Sequence, residues 1–442
     1  MIDFNIIRQY NFPTTIRFGA GVIEELPDHL RSVGIQRPLL VTDPVVEKLG
    51  FFCDLRKKLE ARGLSVEVFS DIHKNPVKSD VEKGGAAYRG TGRDSIIGIG
   101  GGAAMDVARA VALRVNHHRD LFDYDDLIGG DVLVTEEVPY FITVPTTSGT
   151  GSEVGRSAII SEDDTHRKRI LFSPKLLAKM VYADPLLTME LPPFVTAATG
   201  MDALTHNMEA YLAKNWHPMA EGIALEGIRL IHRSIVRATN KPDLESRSLM
   251  MIGSLMGAVA FQKGLGVVHS LAHPMSSLLD THHGLANAVN LPYGMRFNIS
   301  GFEDRFRVIA QAMELPVDGG QGTRAAWERR SGDIGAGGAT ARGASAGEPG
   351  AGLAGAGSPG AGSPGVGSLG AGDIGRAAGE AVVERLFELN GWLGLPTRLR
   401  DVGVREEHLA PLADLAIADF AHPNNPKPVS RDDFFKLYSE AL

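Results

Sequence analysis

The sequence has 442 residues, and its 45 lysines and arginines against 53 aspartates and glutamates give a formal net charge of −8. The length predicts two to four domains of roughly 100 to 200 residues each, which excludes a small disulfide-stapled fold. The negative charge argues against a basic nucleic-acid-binding surface, and the single cysteine, Cys53, excludes an intrachain disulfide. Without a signal sequence or an apolar run of about 18 residues, we expect a cytoplasmic protein with neither nucleic-acid nor membrane partners.

Short apolar runs alternate with helical patterns in the first half of the chain. The runs predict strands at residues 38–43, 65–69, 95–99 and 141–144, and the patterns between them predict helices at 45–62, 79–90 and 103–115. Strands that alternate with helices form βαβ units, so we expect an α/β domain with a parallel sheet covered on both faces. We place this domain at residues 1–186.

From residue 187 onwards, apolar residues recur at helical spacing and no comparable strands follow. The pattern at residues 196–214, 220–239, 245–261 and 380–393 predicts an all-helical second domain at residues 187–442. A Gly/Ala/Ser/Pro-rich stretch at about residues 332–375 holds 17 of the 52 glycines, and we expect it to be a disordered insertion between two helices. Because ligands often bind where domains meet, the cleft between the two domains is the expected site.

Two loops of small residues follow predicted strands. Gly100, Gly101 and Gly102 lie between a strand and a helix, where backbone N–H groups can bind a phosphate, although a tight turn without a ligand explains them equally well. Thr146 and Thr147 belong to a hydroxyl-rich loop that suits ribose and phosphate, or is an ordinary hydrophilic turn. Two such loops in one sheet reinforce the prediction of a nucleotide site.

Asp43 ends an early predicted strand. A carboxylate at that position can accept hydrogen bonds from an adenosine ribose and repel a 2′-phosphate, which favours NAD over NADP. The alternative, in which Asp43 caps the helix that follows, is equally open.

A carboxylate and several histidines are clustered in the second half. Asp202 and His206 are four residues apart, so both side chains project from one face of a helix. Seven of the 14 histidines fall between His206 and His283, which weakens the alternative of isolated core histidines. His269 and His283 can share an ion with them only if the chain turns between the two, and a proline and residues 280–284 permit that turn. Such donors suit Fe(II), Zn(II), Co(II), Ni(II) or Mn(II).

Together these motifs resemble the iron-dependent, or group III, alcohol dehydrogenases. The match rests on the glycine turn with Asp106, the loop at residues 146–153, the helix at 199–206 and the histidine stretch at 264–284, and it covers nearly the whole chain except the glycine-rich insertion. The resemblance implies a dehydroquinate synthase-like architecture, with an N-terminal dinucleotide-binding α/β domain, a C-terminal helical domain and a metal between them. The oligomeric state stays open, with a homodimer as the family expectation.

The resemblance also implies roles for individual residues. One divalent metal, Fe(II) as first choice and Zn(II) as the alternative, would be held by Asp202, His206, His269 and His283. NAD rather than NADP would contact a larger set, namely Asp43, Asn75, Gly100, Gly101, Gly102, Ala103, Thr146, Thr147, Lys168 and Leu187. His273 would relay a proton, or would only shape the pocket. Lys168 could donate to ribose hydroxyls, or could belong to a solvated run at residues 167–169.

Five positions depart from the family pattern, and none of them removes a metal ligand. They are Ala103, Arg109, Ser148, Gly155 and His282, where the family usually has serine, lysine, alanine, threonine and proline. The changes at residues 103 and 155 delete hydroxyls near the cofactor. His282 offers a second imidazole beside His283, and we assign the ligand to His283 because it directly precedes Gly284.

The sequence therefore predicts a metal-dependent oxidoreductase that transfers a hydride between NAD(H) and a small primary alcohol/aldehyde pair, or a hydroxy acid/semialdehyde pair. One alternative is a dehydroquinate-synthase-like or glycerol-dehydrogenase-like metal enzyme. The synthase would need a cluster of cations around a phosphorylated substrate, of which Arg156 and residues 167–169 are the only candidates near the ligand motifs. The alternative of another class is a non-catalytic metal- or nucleotide-binding regulator.

Overall fold

The computed structural model describes Phe12, residues 14–315 and residues 371–442. Its eight strands among these residues are β1 Thr15–Phe18, β2 Pro38–Val41, β3 Glu67–Phe69, β4 Ser95–Gly100, β5 Tyr140–Pro145, β6 Ser157–Ser161, β7 Lys168–Phe172 and β8 Met180–Ala183. Six of them form one parallel sheet in the order β1-β8-β5-β4-β2-β3, and β6 and β7 form a separate antiparallel hairpin.

Four α-helices accompany the sheet in the first part of the chain. They are α1 Leu26–Ser32, α2 Gly50–Ala61, α3 Lys78–Gly90 and α4 Gly102–Asn116. The bounds of α3 and α4 lie within one residue of the predicted helices. Helix α2 begins five residues later than predicted, because Val46–Lys48 forms a separate 3-10 turn.

Side chains of the central strands alternate between two apolar cores, one on each face of the sheet. Leu39 and Val41 of β2 belong to one core together with Val107 of α4. Leu40 belongs to the other core, together with Leu55 of α2. Because both faces are buried, the strands read as continuous apolar runs in the sequence. The predicted α/β domain with a parallel sheet is confirmed.

The sequence predicted β2 to β5 but not β1, β6, β7 or β8. Strand β1 is an edge strand of only four residues, three of them exposed, so its alternation of polar and apolar residues is too short to be a clear signal. Its pairing partner is far away in sequence, since Thr15 is in register with Met180 of β8. Such pairing is a tertiary contact, which a local period cannot reveal.

The second part of the chain is helical in the portions that the structure describes. Its α-helices are α5 Pro193–Leu212, α6 Pro218–Asn240, α7 Leu244–Ala260, α8 Val267–Leu279, α9 His283–Ile299, α10 Glu303–Ala312, α11 Ala371–Trp392, α12 Glu406–Ile417 and α13 Arg431–Ala441. The predicted helical architecture of this part is confirmed.

Helix α5 lies at the centre of this part, and its residues 196–212 are all buried. The neighbouring helices approach it closely because they present glycine. A Cβ at Gly227 of α6 would lie 2.0 Å from Asn207 Oδ1, and a Cβ at Gly257 of α7 would lie 2.7 Å from Asn207 Nδ2. The Asn207 amide donates to Gly253 O at 3.0 Å, so it joins α5 to α7. These contacts fix α5 between its neighbours.

The predicted insertion at residues 332–375 lies outside the described residues as far as residue 370. Its last five residues are helical, because α11 begins at Ala371. The C-terminal limit of the insertion was therefore predicted about five residues too late, since glycine and alanine at residues 371–375 hid the start of the helix.

Within the described ranges, no single helix is long and apolar enough to cross a membrane; a bent pair, Leu244–Lys263 with Val267–Leu279, meets the length and composition criteria together.

Two glycines of α6 provide a matched test of this packing. We expect Gly227→Ala to destabilise the protein by about 1–3 kcal/mol, because the added methyl group would overlap Asn207. Gly222 is exposed with nothing within 4 Å of its Cβ position, so Gly222→Ala should stabilise the protein by about 0.4–1 kcal/mol. Thermal unfolding of both variants under one set of conditions measures this difference. Equal midpoints would contradict the described contact.

Candidate metal centre and cofactor-binding site

Asp43 and Gly100 face each other at the carboxyl ends of the adjacent strands β2 and β4. Asp43 Oδ1 accepts hydrogen bonds from Val45 N and Val46 N, both at 2.9 Å, as expected of a helix cap. Asp43 Oδ2 remains directed towards Gly100, where a Cβ would lie 3.4 Å from it. Gly100 has φ +148°, which other residues rarely adopt. Capping and ribose binding are thus compatible, because they use different oxygens.

The glycine turn, residues 100–102, contacts the threonine loop, residues 145–153. Thr146 N donates to Gly100 O at 3.0 Å. A Cβ at Gly101 would lie 3.4 Å from Thr147 Cγ2. Gly101 is the N-cap of α4, and Ala103 lies in the first turn of that helix. The parallel sheet thus places one set of predicted cofactor residues at the same edge, next to the positive N-terminal end of α4. The set comprises Asp43, the three glycines, Ala103 and both threonines.

The threonine loop also packs directly against the helical part. A Cβ at Gly149 would lie 2.6 Å from Thr199 Cβ on α5, and a Cβ at Gly151 would lie 2.1 Å from Ala258 Cβ on α7. Ser254 Oγ of α7 donates to Gly149 O at 3.1 Å. The nucleotide loop and the helix that carries Asp202 are therefore immediate neighbours.

A buried ion pair on α4 anchors this loop and the β6–β7 hairpin. Arg109 donates to Asp106 Oδ1 (3.3 Å), Ser152 Oγ (2.9 Å) and Ser157 O (2.8 Å), while Asp106 Oδ2 accepts from Ile159 N (3.1 Å). Burial lowers the pKa of Arg109 and raises that of Asp106, and their mutual attraction opposes both shifts. The pair fixes the hairpin relative to the glycine turn.

Lys168 begins β7 and points into the cleft between the sheet and the helices. Burial lowers the pKa of its ammonium group, and the charges of Asp419, Asp106 and Asp202 raise it in opposition. Its neighbours in sequence behave differently: Arg167 is exposed, and Arg169 pairs with Glu162. Lys168 is therefore separate from the solvated run that the sequence offered as an alternative.

Asp202, His206, His269 and His283 converge at the bottom of the same cleft. Each offers one ligand atom, and these atoms lie within 4.8 Å of one another. Asp202 Oδ1 is 3.9 Å from His206 Nε2 and 3.5 Å from His283 Nε2. The chain turns between His269 and His283 at Asp280, which has φ +52°. Pro274 was expected to perturb the helix, but α8 continues through it.

The protonation states of these imidazoles suit a metal centre. Burial lowers the pKa of His206 to about 4 and that of His283 well below its ordinary value, so both are neutral at neutral pH. Burial also acts to lower the pKa of His269, but the hydrogen bond and charge of Glu209 outweigh it and raise that pKa. Three imidazoles with one carboxylate are a donor set that binds Fe(II) or Zn(II), so the residues fit such an ion.

Asn287 of α9 is a buried neighbour of these donors that sequence reasoning missed. Its Nδ2 donates to Asp202 Oδ1 at 2.6 Å and lies 3.2 Å from His283 Nε2. The amide thereby orients the carboxylate. Asn287 is four residues after His283, so the helical spacing of the two could have indicated it.

His273 lies one turn after His269 on α8, beside the donor cluster. Its ring centroid is 5.3 Å from that of His283 and 5.7 Å from that of His269. His273 Nδ1 is 2.8 Å from Asp419 Oδ2, and Ser270 Oγ donates to Asp419 Oδ1 at 2.7 Å. No pattern in the sequence indicates Asp419, which lies 146 residues after His273.

Two of the expected cofactor residues lie apart from the glycine turn. Asn75 Nδ2 donates to Asp280 Oδ1 and so contacts the turn that precedes His283. Leu187 packs at the margin of the apolar core that contains Ile99 and Val144. Asn75 therefore contacts the helical part of the chain, whereas Leu187 packs near the ends of β4 and β5.

Comparison with known proteins places the chain in a family. The sequence model of the iron-containing alcohol dehydrogenases matches residues 13–185, and that of the Fe-containing alcohol dehydrogenase family, C-terminal, matches residues 196–330 and 367–442. The chain belongs to the iron-containing alcohol dehydrogenases. It is a metal-dependent alcohol/aldehyde oxidoreductase, as the sequence predicted.

Individual relatives of this alcohol dehydrogenase span its whole length. It is 36% identical over 440 residues to 4-hydroxybutyrate dehydrogenase of Cupriavidus necator, covering 97% of this chain and 98% of the relative. Lactaldehyde reductase of Escherichia coli (strain K12) is 28% identical over 97% of both chains. The crystal structure of a 1,3-propanediol oxidoreductase superposes with a TM-score of 0.83 at 28% identity, covering 98% of this chain and 100% of that one. The predicted dehydroquinate synthase-like fold is confirmed.

Proposed function

We propose that this protein reversibly transfers a hydride between NAD(H) and a small primary alcohol or its aldehyde. The observation that carries the proposal is the convergence of three imidazoles and one carboxylate within 4.8 Å. The threonine loop contacts α5, which carries two of these donors. Membership of the family implies a metal and a nicotinamide cofactor; the choice of NAD and the roles of single residues are our inference.

Asp202, His206, His269 and His283 would hold the metal, with Fe(II) preferred and Zn(II) as the alternative. When bound, such an ion supplies Lewis-acid polarisation of the substrate's carbonyl or hydroxyl oxygen. Asn287 holds the Asp202 carboxylate in place through its 2.6 Å hydrogen bond. Asp202, His206 and His269 are buried and His283 is partly buried, so these side chains limit the access of water to the reacting groups.

His273 would carry the proton that accompanies the hydride. Its Nδ1 proton is held by Asp419, so Nε2 is the nitrogen that can accept a proton in alcohol oxidation and return it in aldehyde reduction. A bound nicotinamide cofactor would supply or accept the hydride at the carbonyl carbon, and His273 would supply or accept the accompanying proton, so that the two electrons and two protons of the reaction balance.

The cofactor would lie across the carboxyl ends of β2, β4 and β5. Asp43 Oδ2 would accept from the adenosine ribose, and Gly100 to Ala103 with Thr146 and Thr147 would surround the pyrophosphate at the N-terminus of α4. Lys168 would donate to ribose hydroxyls on the nicotinamide side. Asn75 and Leu187 would contact the cofactor from the two sides of the cleft.

A hydroxy acid and its semialdehyde form the second candidate substrate pair, and Arg156 favours it. The Arg156 guanidinium lies over Phe172 at 5.2 Å, burial lowers its pKa, and among the described residues no carboxylate forms an ion pair with it. An unpaired cation beside the hairpin that carries Lys168 could bind a substrate carboxylate. The 4-hydroxybutyrate dehydrogenase relative acts on a substrate of this kind by its name. Rates with alcohols and ω-hydroxy acids of equal chain length distinguish the two pairs.

A cytoplasmic location, a homodimer and the division of the chain at residues 1–186 and 187–442 stay predictions.

The metal assignment predicts one equivalent of bound divalent ion per chain. We expect His206→Ala to lose both the bound metal and turnover, because it removes one of four ligands and opens a buried cavity. Elemental analysis after loading with Fe(II) or Zn(II) measures the first effect, and oxidation of NADH by short aldehydes measures the second. His118, an exposed histidine of the sheet domain, provides the control variant His118→Ala. Full metal content and activity in His206→Ala would refute the assignment.

The cofactor assignment predicts that Asp43 determines the preference for NADH. We expect Asp43→Asn to raise the ratio of NADPH to NADH efficiency by about tenfold or more, since it removes the charge that repels a 2′-phosphate. Asparagine caps a helix as well as aspartate does, so the fold at Val45 and Val46 should be retained. Steady-state kinetics with both cofactors gives the ratio. An unchanged ratio would show that the carboxylate serves only as a cap.

A further inference from the structure

Glu209 is a buried carboxylate that reaches from α5 to the start of α8. Its Oε1 accepts from Val268 N at 2.6 Å, and its Oε2 lies 2.6 Å from His269 Nδ1 and 3.4 Å from His269 N. Gly266 leaves room for this contact, because a Cβ there would lie 3.0 Å from Glu209 Oε1. Helix α5 thus presents Asp202, His206 and Glu209 on one face, at intervals of four and three residues.

Glu209 and Asp202 form ion-pair contacts with histidines alone. Among the described residues, no lysine or arginine lies within 4.0 Å of either carboxylate, and their contacts are with His206, His269 and His283. Their relative exposures are 2% and 1%. Burying carboxylates is costly, and a divalent cation at the four-donor cluster would offset that cost.

The three imidazoles of the cluster differ in how their outer nitrogens are held. Among the described residues, no carboxylate contacts Nδ1 of His206 or Nδ1 of His283. Nδ1 of His269 donates to Glu209. The carboxylate therefore fixes the proton of His269 on Nδ1, which leaves the lone pair of Nε2 directed at the cluster.

We propose that Glu209 is a positioning residue of the metal centre, which fixes the tautomer of His269 and places a negative charge behind that ligand. It does not touch the ion. The proposal rests on the metal site proposed above. It also gives a reason for the extra contact with Val268 N, since the same carboxylate satisfies the first turn of α8 and so sets the position of His269 along the helix.

The test compares metal affinity in Glu209→Gln and in the wild-type protein, by competition with a chelator for Zn(II) or Co(II). Glutamine keeps the shape of the side chain and removes its charge, and we expect metal affinity to fall about 10- to 100-fold. NADH affinity of the metal-free protein should be unchanged, because Glu209 contacts no cofactor residue. The visible absorption of the Co(II)-loaded variant should also change, because His269 is no longer held in one orientation.

Glu221→Gln is the matched control. Glu221 is a partly buried carboxylate in the first turn of α6 that pairs with Lys263 at 2.9 Å, and its loss should leave metal affinity unaltered. Glu209→Asp keeps the charge but withdraws the carboxylate by one methylene. Glu209→Asp should also bind the metal more weakly, and it replaces Glu209→Gln in the titration if that variant does not fold.

Wild-type metal affinity in a folded Glu209 variant would overturn the role of Glu209 alone. Failure of the wild-type protein to bind a divalent ion would instead refute the proposed function. The two failures are therefore distinguishable in one titration.

Discussion

The structure depends on bringing one carboxylate and three imidazoles from three helices within 4.8 Å of one another. Polar side chains gathered in a buried cluster are unfavourable unless each finds a partner. Helix α5 makes the cluster possible, because residues 196–212 are buried on every side and the surrounding helices approach it through glycine. Gly284 allows a close backbone contact with α5, because a Cβ there would lie 2.5 Å from Ala198 O, and this contact places His283 beside Asp202.

The same packing joins the metal cluster to the sheet. Gly149 and Gly151 allow the threonine loop to contact α5 and α7, and Arg109 holds the far side of that loop to α4. A cofactor bound along the strand ends would therefore lie against the wall that carries the metal donors. The segment after residue 370 completes the other wall, because Asp419 orients His273 and Tyr438 donates to Leu271 O at 2.7 Å.

The sequence predicted those features that have a local period. The four-residue interval between Asp202 and His206, the glycine turn after β4 and the central strands all follow from side-chain spacing along one element. It did not predict Asp419 or the pairing of β1 with β8, because each depends on residues more than a hundred positions apart. Glu209 and Asn287 lie on the ligand helices at helical spacing from His206 and His283. They were missed because spacing shows which residues share a face, and only the tertiary fold shows that this face meets a ligand imidazole.

The most direct test of the account is a crystal structure of the metal-loaded protein with anomalous diffraction at the absorption edge of the bound metal. The account predicts one anomalous peak, at about 2.0–2.2 Å from a carboxylate oxygen of Asp202 and from the Nε2 atoms of His206, His269 and His283. A peak coordinated by other side chains, such as His282, or the absence of any peak in this cleft would contradict it.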